Sequence, residues 1–390
     1  MIVPLILRST TTPRPWRTAV ALVWLALGAF PARAQNPAAT NRAANADNPP
    51  LHWFDARAFT LEGRGWTNTP TAYDRLPARA QGVVRDPVWQ LSRDSAGLAL
   101  RFVSDATAFS ARWTVRRDRL ALPHMAASGA SGVDLYVRYH DDWHWLGAAR
   151  PDTSRTTEKR MTTGLAPGRR ECLLYLPLYN GVEQLEIGVP EGAYCEPAPP
   201  RRPAAHRPIV FYGTSIVQGG CASRPGMAYP AILGRRCDWS FLNLGFSGNA
   251  QCEPEIGALL AELDPVVYVL DPLPNMTKEN VALRVPPLLD QLRAAHPKTP
   301  IILVENVEAG DAPVNPGRRA GYSVANANLH HLFETRVRAG DHRLYYVYGD
   351  KLLGEDGQGT VDRIHPTDLG FMRLADGLEP VLRRALRAAR

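Results

Sequence analysis

The sequence predicts an α/β domain with a parallel sheet, preceded by an antiparallel β-sandwich. Three observations predict it. Residues 51–195 carry short β-rich runs split by turn residues. Residues 208–390 alternate apolar strands with helical stretches, the pattern of a parallel sheet with helices on both faces. Between them lies Glu196-PAPPRRPAAH-Arg207, dense in proline, which resists both helix interiors and central strands. This stretch, 196–207, reads as a linker. A chain of 390 residues with 45% apolar and 21% charged residues has ample material for two cores.

In the first region the expected strands are Leu98–Val103, Phe109–Val115, Val133–Tyr139, Cys172–Leu176 and Leu185–Val189. In the second, strands are expected at Ile209–Tyr212, Trp239–Leu244, Val266–Leu270, Pro300–Val304 and Arg343–Val347. Helices are expected at Tyr229–Arg236, Pro254–Leu263, Val281–Ala295, Asn326–Ala339 and Asp368–Ala389. Ahead of both regions, residues 1–34 read as a secretory signal peptide. Arg8, Arg14 and Arg17 precede the apolar run Thr18–Pro31, and Ala32-Arg33-Ala34 is a small-residue cleavage site. The apolar run is short for a membrane span. Residues 35–50 read as a flexible lead-in. Cleavage after Ala34 would place the protein in the periplasm or outside the cell, with no membrane attachment.

The formal net charge is +7, but four arginines and no acid lie in residues 1–34. No basic stripe interleaved with aromatics is present, so nucleic acid is not an expected partner. Five cysteines form no CxxC or His/Cys spacing that suggests zinc, and no metal or cofactor is expected. In an oxidising compartment their odd number leaves at least one unpaired or bonded between chains. Cys221 pairing with Cys252 or Cys237 would brace the neighbouring loop.

In open α/β sheets, ligands gather at the carboxyl ends of the strands. Gly213-Thr-Ser215 follows the first strand, Gly245-Phe-Ser-Gly248-Asn249 the second, and Asp271-Pro-Leu-Pro-Asn275 the third; Asp362-Arg-Ile-His365-Pro366 precedes the last helix. A serine hydroxyl needs a base to become a nucleophile. His365 is the candidate base, and Asp362 can hold its imidazole in one tautomer. Gly248 offers a backbone N–H and Asn275 an amide donor for a developing oxyanion. Taken singly, each of these residues reads as an ordinary turn or helix entry; together, they describe acyl transfer. The G-x-S-x-G elbow is disfavoured, since Ile216 and Val217 follow Ser215.

These four stretches together resemble the SGNH family, also called GDSL hydrolases, whose blocks centre on Ser, Gly, Asn and a final Asp-x-x-His in this order. The resemblance implies a flavodoxin-like α/β/α domain. It implies Ser215 as nucleophile, His365 as base and Asp362 as the orienting acid, with Ser215, Gly248 and Asn275 forming the oxyanion hole. The sequence departs from the family pattern at Thr214, where the eponymous aspartate stands, and at Leu273-Pro274. Both departures resemble a branch carrying an N-terminal Gly-x-Asp-Leu-Tyr domain, matched here by Gly132-Val-Asp134-Leu-Tyr136. The implied activity is that of a secreted serine esterase acting on short acyl esters, O-acetyl groups on carbohydrate above all. The alternatives are a lipid or aryl esterase, a thioesterase, and a catalytically silent carbohydrate-binding protein. Arg224, Tyr229 and Glu305 are candidate substrate-binding residues. Trp113, Trp143, Trp145 and Tyr136 are candidates either for sugar stacking or for the sandwich core.

Overall fold

The computed structural model describes residues 50–389. The expected signal peptide, its cleavage site and all of the lead-in but Pro50 lie outside the described residues. These residues form one compact unit. Its chain order is β1 (Leu51–Asp55), β2 (Thr60–Glu62), α1 (Asp86–Ser92), β3 (Ala99–Ser104), β4 (Phe109–Val115), α2 (Ala127–Ala130), β5 (Val133–Tyr139), β6 (Asp142–Ala149), β7 (Thr156–Thr162), β8 (Arg170–Tyr175), β9 (Val182–Pro190) and β10 (Cys195–Pro197). Then follow β11 (Ile209–Gly213), α3 (Ser215–Gln218), α4 (Tyr229–Cys237), β12 (Phe241–Gly245), α5 (Pro254–Ala261), β13 (Val267–Asp271), α6 (Lys278–Ala295), β14 (Ile301–Val304), α7 (Pro316–Arg338), β15 (Leu344–Val347) and α8 (Asp368–Ala388).

The first region is a sandwich of two antiparallel sheets. One is ordered β1-β9-β4-β7; the other is ordered β10-β3-β8-β5-β6, with β2 also on β3. Between them lies a core that includes Trp113, Leu185 and Ile187 from one sheet, with Leu100, Phe102, Leu135 and Leu174 from the other. The second sheet is covered on its outer face as well. There Ala99, Tyr136, Leu173 and Tyr175 share a core with Phe211, Tyr229, Ile232 and Phe241 of the α/β region. Both faces of β3 are therefore buried, so it reads as a run of buried residues rather than an alternation. The proline-rich stretch does not hang free. Cys195–Pro197 pairs with β3, and Arg201 pairs with Glu62 at 2.8 Å and Asp238 at 2.9 Å.

The second region is a parallel sheet ordered β12-β11-β13-β14-β15. In sequence order this is 2-1-3-4-5, the flavodoxin-like arrangement, with its switch point at the end of β11. Side chains alternate across β11. Ile209 and Phe211 face the core lined by α4 and α8, while Val210 and Tyr212 face the core lined by α5, α6 and α7. The result is a three-layer α/β/α domain. Helix α7 begins ten residues before the expected Asn326. The stretch Pro316–Ala325 holds two glycines and a proline and looks like loop. However, Asn315 accepts from the Arg318 N–H and Pro316 takes the first helical position, which together start the helix. Among the described residues, no helix is long and apolar enough to cross a membrane.

No disulfide is present among the described residues, and the pairing expected for Cys221 is not made; all five cysteines are free. The layers explain this. Cys237 lies in the core on one side of the parallel sheet, Cys252 lies in the core on the other, and the Cys252 Sγ contacts the Met276 Sδ at 3.7 Å. Cys221 sits apart from both, beside His365.

Candidate active site

Strand β11 ends at Gly213, whose neighbours in register are Gly245 of β12 and Asp271 of β13. The chain must pass very close to β13 here: a Cβ on Gly213 would lie 2.4 Å from the Asp271 carbonyl oxygen and 2.4 Å from Val217. Thr214 then caps α3 by accepting from the Ile216 N–H at 3.2 Å, so Ser215 opens the helix. The register sets the three strand ends side by side. Ser215, Gly248 and Asn275 thus follow from adjacent ends of β11, β12 and β13.

The His365 Nε2 lies 2.9 Å from the Ser215 Oγ, and its Nδ1 lies 2.7 Å from the Asp362 Oδ2. With Asp362 ionised, Nδ1 carries the proton and Nε2 is left to accept one. The loop that presents His365 is held at both ends by backbone. Thr360 and Pro366 form a β-bridge, and the Val361 N–H donates to the His365 carbonyl at 2.8 Å. The Asp362 Oδ1 accepts from the N–H groups of Ile364 at 3.1 Å and His365 at 2.8 Å, and Arg363 between them is left-handed at φ 78°. Partial burial raises the Asp362 pKa, but the backbone bonds and the His365 ring outweigh it and hold the carboxyl below its usual range.

Gly248 sits at φ 71° with open space where a side chain would be. Asn275 ends a 3₁₀ turn, Leu273–Asn275. Its Oδ1 accepts from the Ala250 N–H at 3.3 Å, which leaves the Nδ2 hydrogens without a recorded acceptor among the described residues. The structure thus brings Ser215, His365 and Asp362 into one hydrogen-bonded chain and sets the two oxyanion candidates at the neighbouring strand ends.

The three expected pocket residues are otherwise employed. Tyr229 is fully buried, and its hydroxyl donates to the Asp271 Oδ2 at 3.0 Å. Its place at the start of α4 turns it under the sheet and away from solvent. Glu305 is buried at the end of β14, where it accepts from the Tyr346 hydroxyl at 2.6 Å and the Gly349 N–H at 2.8 Å. Arg224 reaches back to the sandwich. Its Nη1 donates to the Asp134 Oδ2 at 2.9 Å and to the Tyr136 hydroxyl, and its guanidinium lies over Trp145, 4.7 Å from the ring centre.

Asp134 is fully buried and also accepts from the Gly226 N–H at 2.9 Å and the Trp145 Nε1 at 2.7 Å. The Gly-Val-Asp-Leu-Tyr motif therefore grips the loop that follows the nucleophile helix. Of the aromatic candidates, Trp113 and Tyr136 are core, Trp143 is partly buried beneath Arg138, and Trp145 is half-exposed.

A second bridge escaped sequence reasoning. Arg75 is fully buried and donates to four backbone carbonyls: Asp94 at 2.9 Å, Asn243 at 2.9 Å, Gly245 at 2.7 Å and Leu91 at 2.6 Å. Burial pushes its guanidinium down to about 10, which leaves it charged at neutral pH. Next to it, the Gln218 Nε2 donates to the Asp94 Oδ2 at 3.2 Å, and its Oε1 accepts from the Ser247 N–H at 3.0 Å. His124 was also missed; its ring lies 5.3 Å from that of His365. No local pattern marks these residues, because each has at least one partner far away in sequence.

Burial raises the Asp271 pKa to about 8 from an ordinary 3.8, against the opposing hydrogen bond from Tyr229. The unfolded chain releases this proton near pH 4, while the folded chain keeps it until about pH 8. The neutral carboxyl therefore favours the fold fully below pH 4, and that contribution is lost as the pH rises to 8. Asp271→Asn should raise the urea midpoint at pH 7.5, by about 1–3 kcal/mol in stability, and leave it unchanged at pH 4. An equal change at both pH values would show that Asp271 is ionised in the fold.

The comparisons with known proteins agree with this architecture. Residues 206–383 match the GDSL-like Lipase/Acylhydrolase family, and residues 51–195 match the N-terminus of Esterase_SGNH_hydro-type proteins. A crystal structure described as a GDSL-like lipase, from Bacteroides ovatus, is 33% identical, with a TM-score of 0.81 over 87% of this chain and 98% of that one. The salicylyl-acyltransferase SsfX3 of a tetracycline biosynthetic pathway shares the fold at 16% identity and a TM-score of 0.69, covering 87% of this chain and 99% of that one. So does a family two carbohydrate esterase from Clostridium thermocellum, at 17% identity and a TM-score of 0.54, covering 75% and 94%. No match was found among curated proteins. The chain belongs to the SGNH, or GDSL-like, hydrolase family. It is an ester hydrolase that carries the GxDLY-type N-terminal domain of one branch of that family.

Proposed function

We propose that the protein is a secreted serine esterase that removes short acyl groups, O-acetyl above all, from carbohydrate. The observation that carries the esterase mechanism is the hydrogen-bonded chain from Ser215 through His365 to Asp362 at the switch point of the sheet. The Ser215 Oγ attacks the ester carbonyl as the His365 Nε2 takes its proton. The oxyanion is met by the Ser215 and Gly248 N–H groups and the Asn275 Nδ2. His365 then protonates the leaving alcohol, and water repeats the sequence on the acyl-enzyme.

Asp362 keeps the Nδ1 proton in place and stabilises the imidazolium. Asp362→Asn should therefore lower kcat by roughly 10²–10⁴-fold with little change in KM, measured on p-nitrophenyl acetate. A loss below threefold would remove Asp362 from the mechanism.

The carbohydrate reading is supported by a site that opens to water: the Asp362 side chain is 38% exposed, and half-exposed Trp145 stands beside the loop that follows the nucleophile helix. The carbohydrate esterases that share the fold motivate the same choice of substrate. The test compares acetate release from acetylated xylan with hydrolysis of p-nitrophenyl acetate and p-nitrophenyl octanoate. Preferred release of acetate from the polysaccharide supports the proposal, whereas preference for octanoate moves the substrate to lipids. Export rests on the basic, apolar and Ala-Arg-Ala segments of residues 1–34. A periplasmic or medium fraction beginning at Gln35, read by mass spectrometry, is the expected result.

A further inference from the structure

We propose that His124, Cys221 and His365 bind a soft divalent cation, zinc foremost, and that its binding takes the base away from Ser215. One ligand atom from each of the three residues lies within 4.8 Å of the other two. The residues come from three separate segments. His124 lies in the Leu122–Met125 turn of the sandwich, Cys221 follows α3, and His365 stands in the loop before α8. No short spacing in the sequence could show this set.

Two of the three side chains, Cys221 and His124, are free to serve. Cys221 makes no disulfide, and no hydrogen bond is recorded for its thiol or for the ring nitrogens of His124 among the described residues. Cys221 also holds a left-handed backbone at φ 72°, a conformation that costs a non-glycine residue energy and gathers at functional sites. His124 is exposed and already lies against the His365 ring.

His365 is prepared as a ligand by the same contact that prepares it as a base. Its Nδ1 is committed to Asp362, so its Nε2 presents a lone pair, as in the carboxylate–histidine–metal arrangement of known sites. Two imidazoles and a thiolate suit zinc, and three protein ligands leave its fourth position to water. Bonds of about 2.0–2.3 Å set tetrahedral ligands roughly 3.5 Å apart, so the site closes by a turn of the exposed His124 side chain and a small shift of the others. On binding, the Cys221 thiol gives its proton to solvent. Ser215 keeps its own proton and loses its acceptor, because the metal occupies Nε2.

The inhibitory consequence rests on the esterase mechanism proposed above; the binding itself does not. The full chain, freed of metal, is titrated with Zn²⁺ while it hydrolyses p-nitrophenyl acetate, and with Co²⁺ while its absorption is recorded. The expected results are inhibition that a chelator reverses, and an inhibition constant at least tenfold weaker in Cys221→Ser and in His124→Ala, each measured against its own uninhibited rate. Cobalt should give a thiolate-to-metal absorption band in the wild type and in Ser215→Ala, absent from Cys221→Ser and from His365→Ala. A cobalt band in a protein with no esterase activity would overturn the mechanism and leave the site standing. An active enzyme with no thiolate band, or with equal zinc inhibition in all variants, would overturn the site.

Discussion

Ser215→Ala should abolish ester hydrolysis, lowering kcat by at least about 10⁴-fold while the protein folds as before. The residue is small, opens a short helix, and is not the group that caps it; Thr214 does that. His365→Ala should cost a similar factor. The double variant should be no worse than either single one, because the two groups act as a unit and their losses do not add. Single-turnover rates on p-nitrophenyl acetate, with circular dichroism as the check on folding, measure all three variants. Additive losses would mean that Ser215 and His365 contribute separately, and a Ser215→Ala protein within tenfold of the wild type would place the nucleophile elsewhere.

The second large effect falls on stability. Arg75→Met should lower the free energy of unfolding by on the order of 3–5 kcal/mol, since it removes a charged donor from the buried carbonyls of Asp94, Asn243 and Gly245 and from that of Leu91, which keeps the Asp94 N–H at 3.0 Å. Arg75→Lys should rescue little, because an ammonium cannot reach four acceptors spread across a planar fork. Two of the carbonyls, Asn243 and Gly245, belong to the end of β12, directly before the Ser247–Gly248 turn. Activity below the melting transition should therefore fall as well. Urea unfolding of the wild type and the two variants gives the result, and a loss under about 1 kcal/mol in Arg75→Met would show that water or a neighbour replaces the guanidinium.

The parallel sheet was legible in the sequence because its strands are short, mainly apolar and separated by helices; the ends of β11 through β15 fall within a few residues of expectation. The four site stretches were legible because each directly follows a strand or precedes a helix, so topology alone gathers them. The sandwich was harder to read. Strands β6 and β7, DWHWLGAA and TTEKRMT, carry charged and polar side chains toward solvent and show little apolar alternation. Arg224, Tyr229 and Glu305 show why pocket residues are hard to read from sequence. Nearness in sequence to a nucleophile or a strand end does not say which way a side chain points: Tyr229 and Glu305 turn inward, and Arg224 reaches to the sandwich, each to partners that only the fold supplies. Asp134, Arg75 and His124 were illegible as site residues for the converse reason: each has a partner in the other half of the chain, Arg224 and Gly226, Asn243 and Gly245, and His365.

The doubly covered sheet of the sandwich has a consequence for biosynthesis. The outer face of β5 and β8, with Tyr136, Leu173 and Tyr175, is completed only by residues from β11 onward. A ribosome adding about 5–20 residues per second makes the sandwich strands first and holds them for several seconds before Phe211, Tyr229 and Phe241 emerge. Through that interval the nascent chain displays an apolar sheet face with nothing to close it. Productive folding of the sandwich is thus tied to the arrival of the chain's own second half.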